Sequence, residues 1–207
     1  MGCSGNDCER DESPVHTVTL ASYNIGKYEV TLQQWREVMG NNPNKNKNCD
    51  SCPVENVSWN DVQGFIRKLN SQTGKKYRLP TEAEWEFAAR GGNKSNGTSY
   101  SGSNNLNSVA WYSNNSEGKT HPVGGKSPNE LGIYDMSGNV WEWCSDWYSK
   151  KYYKRRPQSG PRGPSSGSDR VLRGGSSSSS SCRVSYRNNF IPDSSNSLIG
   201  FRLVLDL

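Results

Sequence analysis

The chain is short of the residue types that membrane proteins and hydrolases depend on. Only 31% of its 207 residues are hydrophobic, and no run reaches the roughly 18 apolar residues of a membrane span. It has two histidines, His16 and His121. They show no metal-ligand spacing, and neither lies near the serine-rich stretch at 176–181, so no Ser/His/Asp set is in view. What the chain does have is seven Trp, ten Tyr, 21 Gly and 10 Pro. Large aromatics remove much area from water for each residue buried. The expectation is an aromatic-rich core with little regular structure and long loops. The length fits one domain, residues 14–207, behind a flexible tether at 1–13. The formal charge of +5 is modest and concentrates in Lys150–Arg156. No nucleic-acid fold motif accompanies that cluster, so it reads as a solvated loop and no nucleic-acid partner is expected.

A second absence is local. Lys, Glu, Gln, Trp and Met make up 38 of the 207 residues, yet none occurs between Ser177 and Leu198. That stretch is mostly Ser and Asn. Every residue in it can be written by an Asn codon whose adenines have been replaced, and the five missing types cannot. Adenine-directed hypermutation leaves such a pattern. A solvated Ser-rich linker has a similar composition, but Ser176–Ser181 runs directly into Cys182-Arg183-Val184. The chain then ends in the apolar, strand-like Ile199–Leu205, which needs a core to enter. The frame around the segment is Arg170–Gly175 in front and Gly200–Val204 behind.

Cysteines at 3, 8, 49, 52, 144 and 182 fit one or two disulfides in an oxidising compartment. Cys49 and Cys52 lack the second ligand pair that a zinc site requires. Capping signals predict three helices: Thr31–Met39 closed by Gly40, one from Ser58 to Gly74, and Glu82–Arg90 behind Thr81. Val15–Leu20 alternates as a half-buried strand does, and Asn24–Val30 reads as extended. After residue 91 helix signals vanish, giving an α+β organisation.

Four blocks carry a resemblance. They are Lys27–Trp35 (KYEVTLQQW), Pro53–Trp59 (PVENVSW), Tyr77–Arg90 (YRLPTEAEWEFAAR) and Asn129–Trp143 (NELGIYDMSGNVWEW). With the terminal Arg-Gly-Gly and Gly-Phe-Arg frame, the chain resembles the formylglycine-generating-enzyme (sulfatase-modifying factor) family over about residues 14–205. The resemblance implies an α+β, C-type lectin fold with a small twisted antiparallel sheet, few helices and much irregular loop. Catalytic members carry a cysteine pair before the Arg-rich segment. Here Ser176–Ser181 and a single Cys182 stand in that region, and one thiol cannot perform paired-thiol chemistry. A non-enzymatic protein is therefore expected. The resemblance also implies a calcium shell at Asn139, the Val140 carbonyl and Glu142, whose oxygens suit a hard cation; no cofactor is otherwise required.

Within this family the chain is most similar to the variable proteins of diversity-generating retroelements, of the treponemal type. That likeness implies a ligand-binding face with exposed, changeable positions at Ser177, Ser178, Ser179, Ser180, Ser181, Tyr186, Asn188, Asn189, Phe190, Asp193, Ser194, Asn196 and Ser197. Arg183, Arg187, Pro192, Gly200 and Arg202 are expected as fixed frame, with Tyr186 and Phe190 as binding hot spots. Met1-Gly-Cys3-Ser resembles the mature end of a bacterial lipoprotein, its signal peptide lying outside this sequence. Cys3 would then hold the lipid of an outer-membrane, surface-displayed monomer, the only membrane attachment expected. The expected partner is a protein or other macromolecule at the cell exterior. Two alternatives stay open: a non-catalytic accessory domain with one fixed partner, and a formylglycine-generating oxidase.

Overall fold

Three reciprocal capping boxes set the main helices. Thr31, Ser58 and Thr81 each accept the backbone N–H three residues on, and Gln34, Asp61 and Glu84 cap them in return. They start α1 (Leu32–Met39), α2 (Trp59–Thr73) and α3 (Glu82–Ala89). Left-handed Gly40 and Gly74 close the first two, as the sequence predicts. The computed structural model describes residues 1–207 apart from Gly5, Arg156 and Pro157. A single-turn helix, α4 (Leu106–Val109), lies in the second half, where no helix is expected.

Among the described residues, seven short strands make two sheets. β1 (Tyr23–Ile25), β2 (Tyr77–Arg78) and β7 (Val204–Asp206) form one in the order β1-β7-β2, antiparallel throughout. β3 (Trp141–Trp147), β4 (Arg170–Arg173), β5 (Asn188–Phe190) and β6 (Ile199–Gly200) form the other, in the order β5-β4-β3-β6. Its β3–β6 pairing is parallel. The terminal apolar run is thus two strands, one for each sheet. The turn between them puts Phe201 edge-on to Trp35 and Phe65, which stack on each other at 5.3 Å. Gly200 is required where it stands: a Cβ there would lie 2.5 Å from the Val54 carbonyl oxygen.

Two expectations fail. Val15–Leu20 is not a strand, since its only pairing among the described residues is an isolated bridge from Thr19 to Ser159. Alternation alone makes no ladder without a neighbour. The described residues among 1–13 do not extend as a tether. Gly2 donates its N–H to Glu86 (2.8 Å) and accepts from Arg90 (2.7 Å), while fully buried Glu12 meets Arg183 at 3.0 Å. The basic cluster is divided: Tyr153 is fully buried, its neighbours Lys154 and Arg155 are exposed, and Arg156 lies outside the described residues.

A candidate ligand-binding face and its supporting frame

Buried arginines fix the backbone of the 177–198 segment. Arg173, at the end of β4, donates to the carbonyls of Val184 (2.7 Å) and Ser185 (2.9 Å). It is held in place by Glu86 at 2.7 Å and Glu82 at 3.3 Å, both on α3. Arg187 makes a two-pronged pair with the same Glu82, at 2.6 and 2.8 Å. Behind the segment, Arg202 makes two 2.7 Å bonds to Glu142 and donates to the carbonyls of Gly26 and Tyr134. Charge-assisted pairs of this kind are strong where water is excluded, so the segment's path is set from beneath. Of the expected frame residues, Arg187, Gly200 and Arg202 are buried, whereas Arg183 and Pro192 are only half-buried.

The expected changeable positions divide in three. Ser178, Ser180, Asp193 and Asn196 are exposed. Ser179, Ser181, Tyr186, Asn188, Asn189, Phe190, Ser194 and Ser197 are half-buried. Ser177 is a correction, because it is fully buried. Its N–H donates to the Asn139 carbonyl at 2.7 Å and its own carbonyl accepts from Ser116, so the chain must turn inward there. Asn188, Asn189 and Phe190 share β5, the edge strand paired to β4. Phe190 leans on Trp143 and Tyr186 on Trp141, with ring centroids 6.3 and 6.0 Å apart. Both aromatics therefore root in the core while showing part of each ring to solvent.

The six cysteines divide into two disulfides and two buried thiols. Cys49 pairs with Cys52 and Cys3 with Cys8, leaving Cys144 and Cys182 free and buried. These two pack in different apolar clusters. Burial pushes the Cys182 thiol up to about 12 and Cys144 well above its ordinary value. Neither is poised as a thiolate. Cys3 is also a correction: with its sulfur bonded to Cys8, it has no valence for a lipid thioether. Of the three expected calcium donors, Asn139 and Glu142 are already engaged. The Asn139 side-chain oxygen accepts the His121 N–H, and both Glu142 oxygens are taken by Arg202, one also by Trp85.

Two cavities matter. A largely apolar one of about 470 Å³ lies between β1 and the first two helices, bounded by Ile25, Val38 and Phe65. The other, about 390 Å³, sits where the fixed frame meets the changeable segment, and Ser177, Ser197, Glu55 and Lys119 line it. Sequence reasoning named the two serines but missed Glu55 and Lys119. Nothing local in PVENVSW distinguishes a glutamate that will line one cavity with a serine far along the chain.

Residues 1–207 match the family of the sulfatase-modifying factor enzyme 1-like domain. The chain is 40% identical over 182 residues to a Paenibacillus barcinonensis protein named chaperone protein LppX, covering 64% of this chain and 65% of that protein. It is 42% identical over 173 residues to the formylglycine-generating enzyme of Streptomyces coelicolor, covering 74% of this chain and 52% of that one. The chain thus spans less than two thirds of either protein's length. Among solved structures, Treponema denticola variable protein 1 superposes with a TM-score of 0.83 at 36% identity, over 93% of this chain and 87% of that one.

Proposed function

The chain belongs to the sulfatase-modifying factor enzyme 1-like family, in its C-type lectin fold, and from that premise we propose a non-enzymatic ligand-binding protein whose 177–198 segment is diversified at adenines. The observation that carries the proposal is a separation of roles within one segment. Arg173 and Arg187 hold its backbone from a buried position, while Ser178, Ser180, Asp193 and Asn196 are exposed, their bonds being confined to the surface, where Asp193 accepts from Asn60 and Asn196 from the Leu198 N–H. Ser, Asn and Tyr suit such a face, since they adapt their hydrogen bonds and add contact area at low entropic cost.

An oxidase is disfavoured by two buried thiols in separate clusters, each held in its protonated form. Two disulfides favour an exported location, and surface display is the proposed setting for a macromolecular partner. A lipid at Cys3 and the Cys3–Cys8 bond exclude each other, so mass analysis of the exported protein distinguishes the two forms. A second reading, an accessory domain with one fixed partner, is favoured by the likeness to a protein named as a chaperone.

Sequencing the 3′ end of this gene across independent isolates separates the readings. Substitution confined to adenine-derived codons between Ser177 and Leu198, with the frame intact, supports a diversified receptor. Scattered or absent variation overturns it and leaves the accessory domain.

A further inference from the structure

Two residues that line the 390 Å³ cavity at the junction of frame and segment, Glu55 and Ser177, each carry a buried polar atom with no partner among the described residues. Glu55 is 2% exposed and Ser177 0%. Glu55 Oε1 accepts the backbone N–H of Lys45 at 2.5 Å and of Asn46 at 3.4 Å, but Oε2 accepts nothing. Ser177 Oγ is equally unpaired. Native structures leave few such atoms alone, because each forfeits its hydration without replacement. Burial pushes the Glu55 carboxyl above its ordinary value, opposed by the two backbone N–H donors and by the charges of Lys45 and Lys47. The ammonium of Lys119 is engaged elsewhere, by Glu117 at 2.8 Å on the exposed rim. Glu55 and Ser177 thus share the cavity lining with Ser197 and Thr120, and with Lys45 and Lys119 as its cationic members.

We propose that this cavity binds a primary ammonium group, with Glu55 Oε2 as the counter-charge and Ser177 Oγ as a second acceptor. An ammonium carries three donors and no acceptor, which matches two unpaired oxygens and leaves one N–H for Ser197. The group could arrive as a lysine side chain of a docked protein or as a free small amine. The inference rests on the cavity alone and not on diversification of the segment, so isolate sequencing and the experiment below fail independently.

The probe is Nα-acetyl-lysine methylamide, titrated into the intact 207-residue protein and followed by the amide NMR shifts of Gly118, Thr120 and Ser177. Its norleucine counterpart, matched in shape but lacking the ammonium, is the control, and n-butylammonium represents a free amine. Saturable shifts at those three amides with the lysine compound, absent with norleucine, are expected. Glu55→Gln should weaken binding by about tenfold or more, the scale of a lost charge-assisted hydrogen bond, and Ser177→Ala by a few-fold. Binding of butylammonium but not the lysine compound would keep the ammonium site and assign it to small amines. Equal response to lysine and norleucine, shifts elsewhere, unchanged affinity in Glu55→Gln, or no saturable response would each overturn the proposal. The norleucine control keeps the test decisive even if Glu55→Gln folds poorly.

Discussion

Glu142 and Arg202 are both fully buried, and each supplies the solvation that the other has lost. Two 2.7 Å bonds join them, and Trp85 donates a third to Glu142. Removing one charge from such a pair leaves the other stranded, at a cost of about 3–5 kcal/mol. Glu142→Gln keeps the shape and is expected to lower the unfolding free energy by about 3 kcal/mol in urea titration. A loss below about 1 kcal/mol, the range of an exposed pair, would mean that water reaches the site. The sequence displays both residues inside its most recognisable blocks, yet it does not show that they are partners. The pairing spans 60 positions, and nothing in either block's local pattern encodes it. The same holds for Glu82 with Arg173 and Arg187.

At the scale of elements, what is locally coded is legible and what needs a neighbour is not. The three capping boxes each use a residue and its third successor, so α1, α2 and α3 could be drawn from the sequence to within a residue. Strand pairing depends on distant chain. Val15–Leu20 alternates but meets no ladder, while Ile199–Leu205 reads as one run and serves two sheets. The 176–181 loop shows the same limit, because its six serines look alike and only depth separates them. Ser177→Ala removes a buried hydroxyl that has no partner, so it should leave stability unchanged or raise it by up to about 1 kcal/mol. Ser180→Tyr, on the exposed side, should change stability by less than about 0.5 kcal/mol. Ser177→Tyr must displace packed backbone and should cost several times more. Urea midpoints of the three variants test this gradient. Equal tolerance at 177 and 180 would remove the distinction between anchored and changeable positions.

The whole molecule accumulates buried charge around its framing arginines, and that gives its stability a pH dependence of determinate sign. Burial, reinforced by the nearby Glu82 charge, raises the Asp146 carboxyl from 3.8 to about 7, and burial, aided by the Glu142 charge against the Gly124 N–H and Arg202, takes Asp135 to about 6. A carboxyl raised in the folded state holds its proton where the unfolded chain has released it. Its contribution is therefore complete below 3.8 and is lost as pH rises through the folded value. Glu84 and Glu86, held low in spite of burial by Arg78 and by Arg173 with Arg90, act the other way. Their contribution is present above 4.5 and disappears as pH falls through their folded values. Between pH 5 and 8 the raised carboxyls, Glu29 among them, oppose and outnumber the lowered N-terminal amine, so the melting temperature should fall as pH increases. Asp146→Asn isolates this effect, since an amide oxygen can still accept the Glu82 N–H now bound at 3.0 Å. The variant should match the wild type near pH 4.5 and exceed it at pH 8 by about 1 kcal/mol or more, one pKa unit being worth about 1.4 kcal/mol. Calorimetric melting curves at half-unit steps from pH 4.5 to 8 would show the two proteins diverging steadily up to about pH 7 and running parallel above it. Curves parallel over the whole range would mean that Asp146 is ionised throughout, and that the arginine framework neutralises its carboxylates more completely than their burial implies.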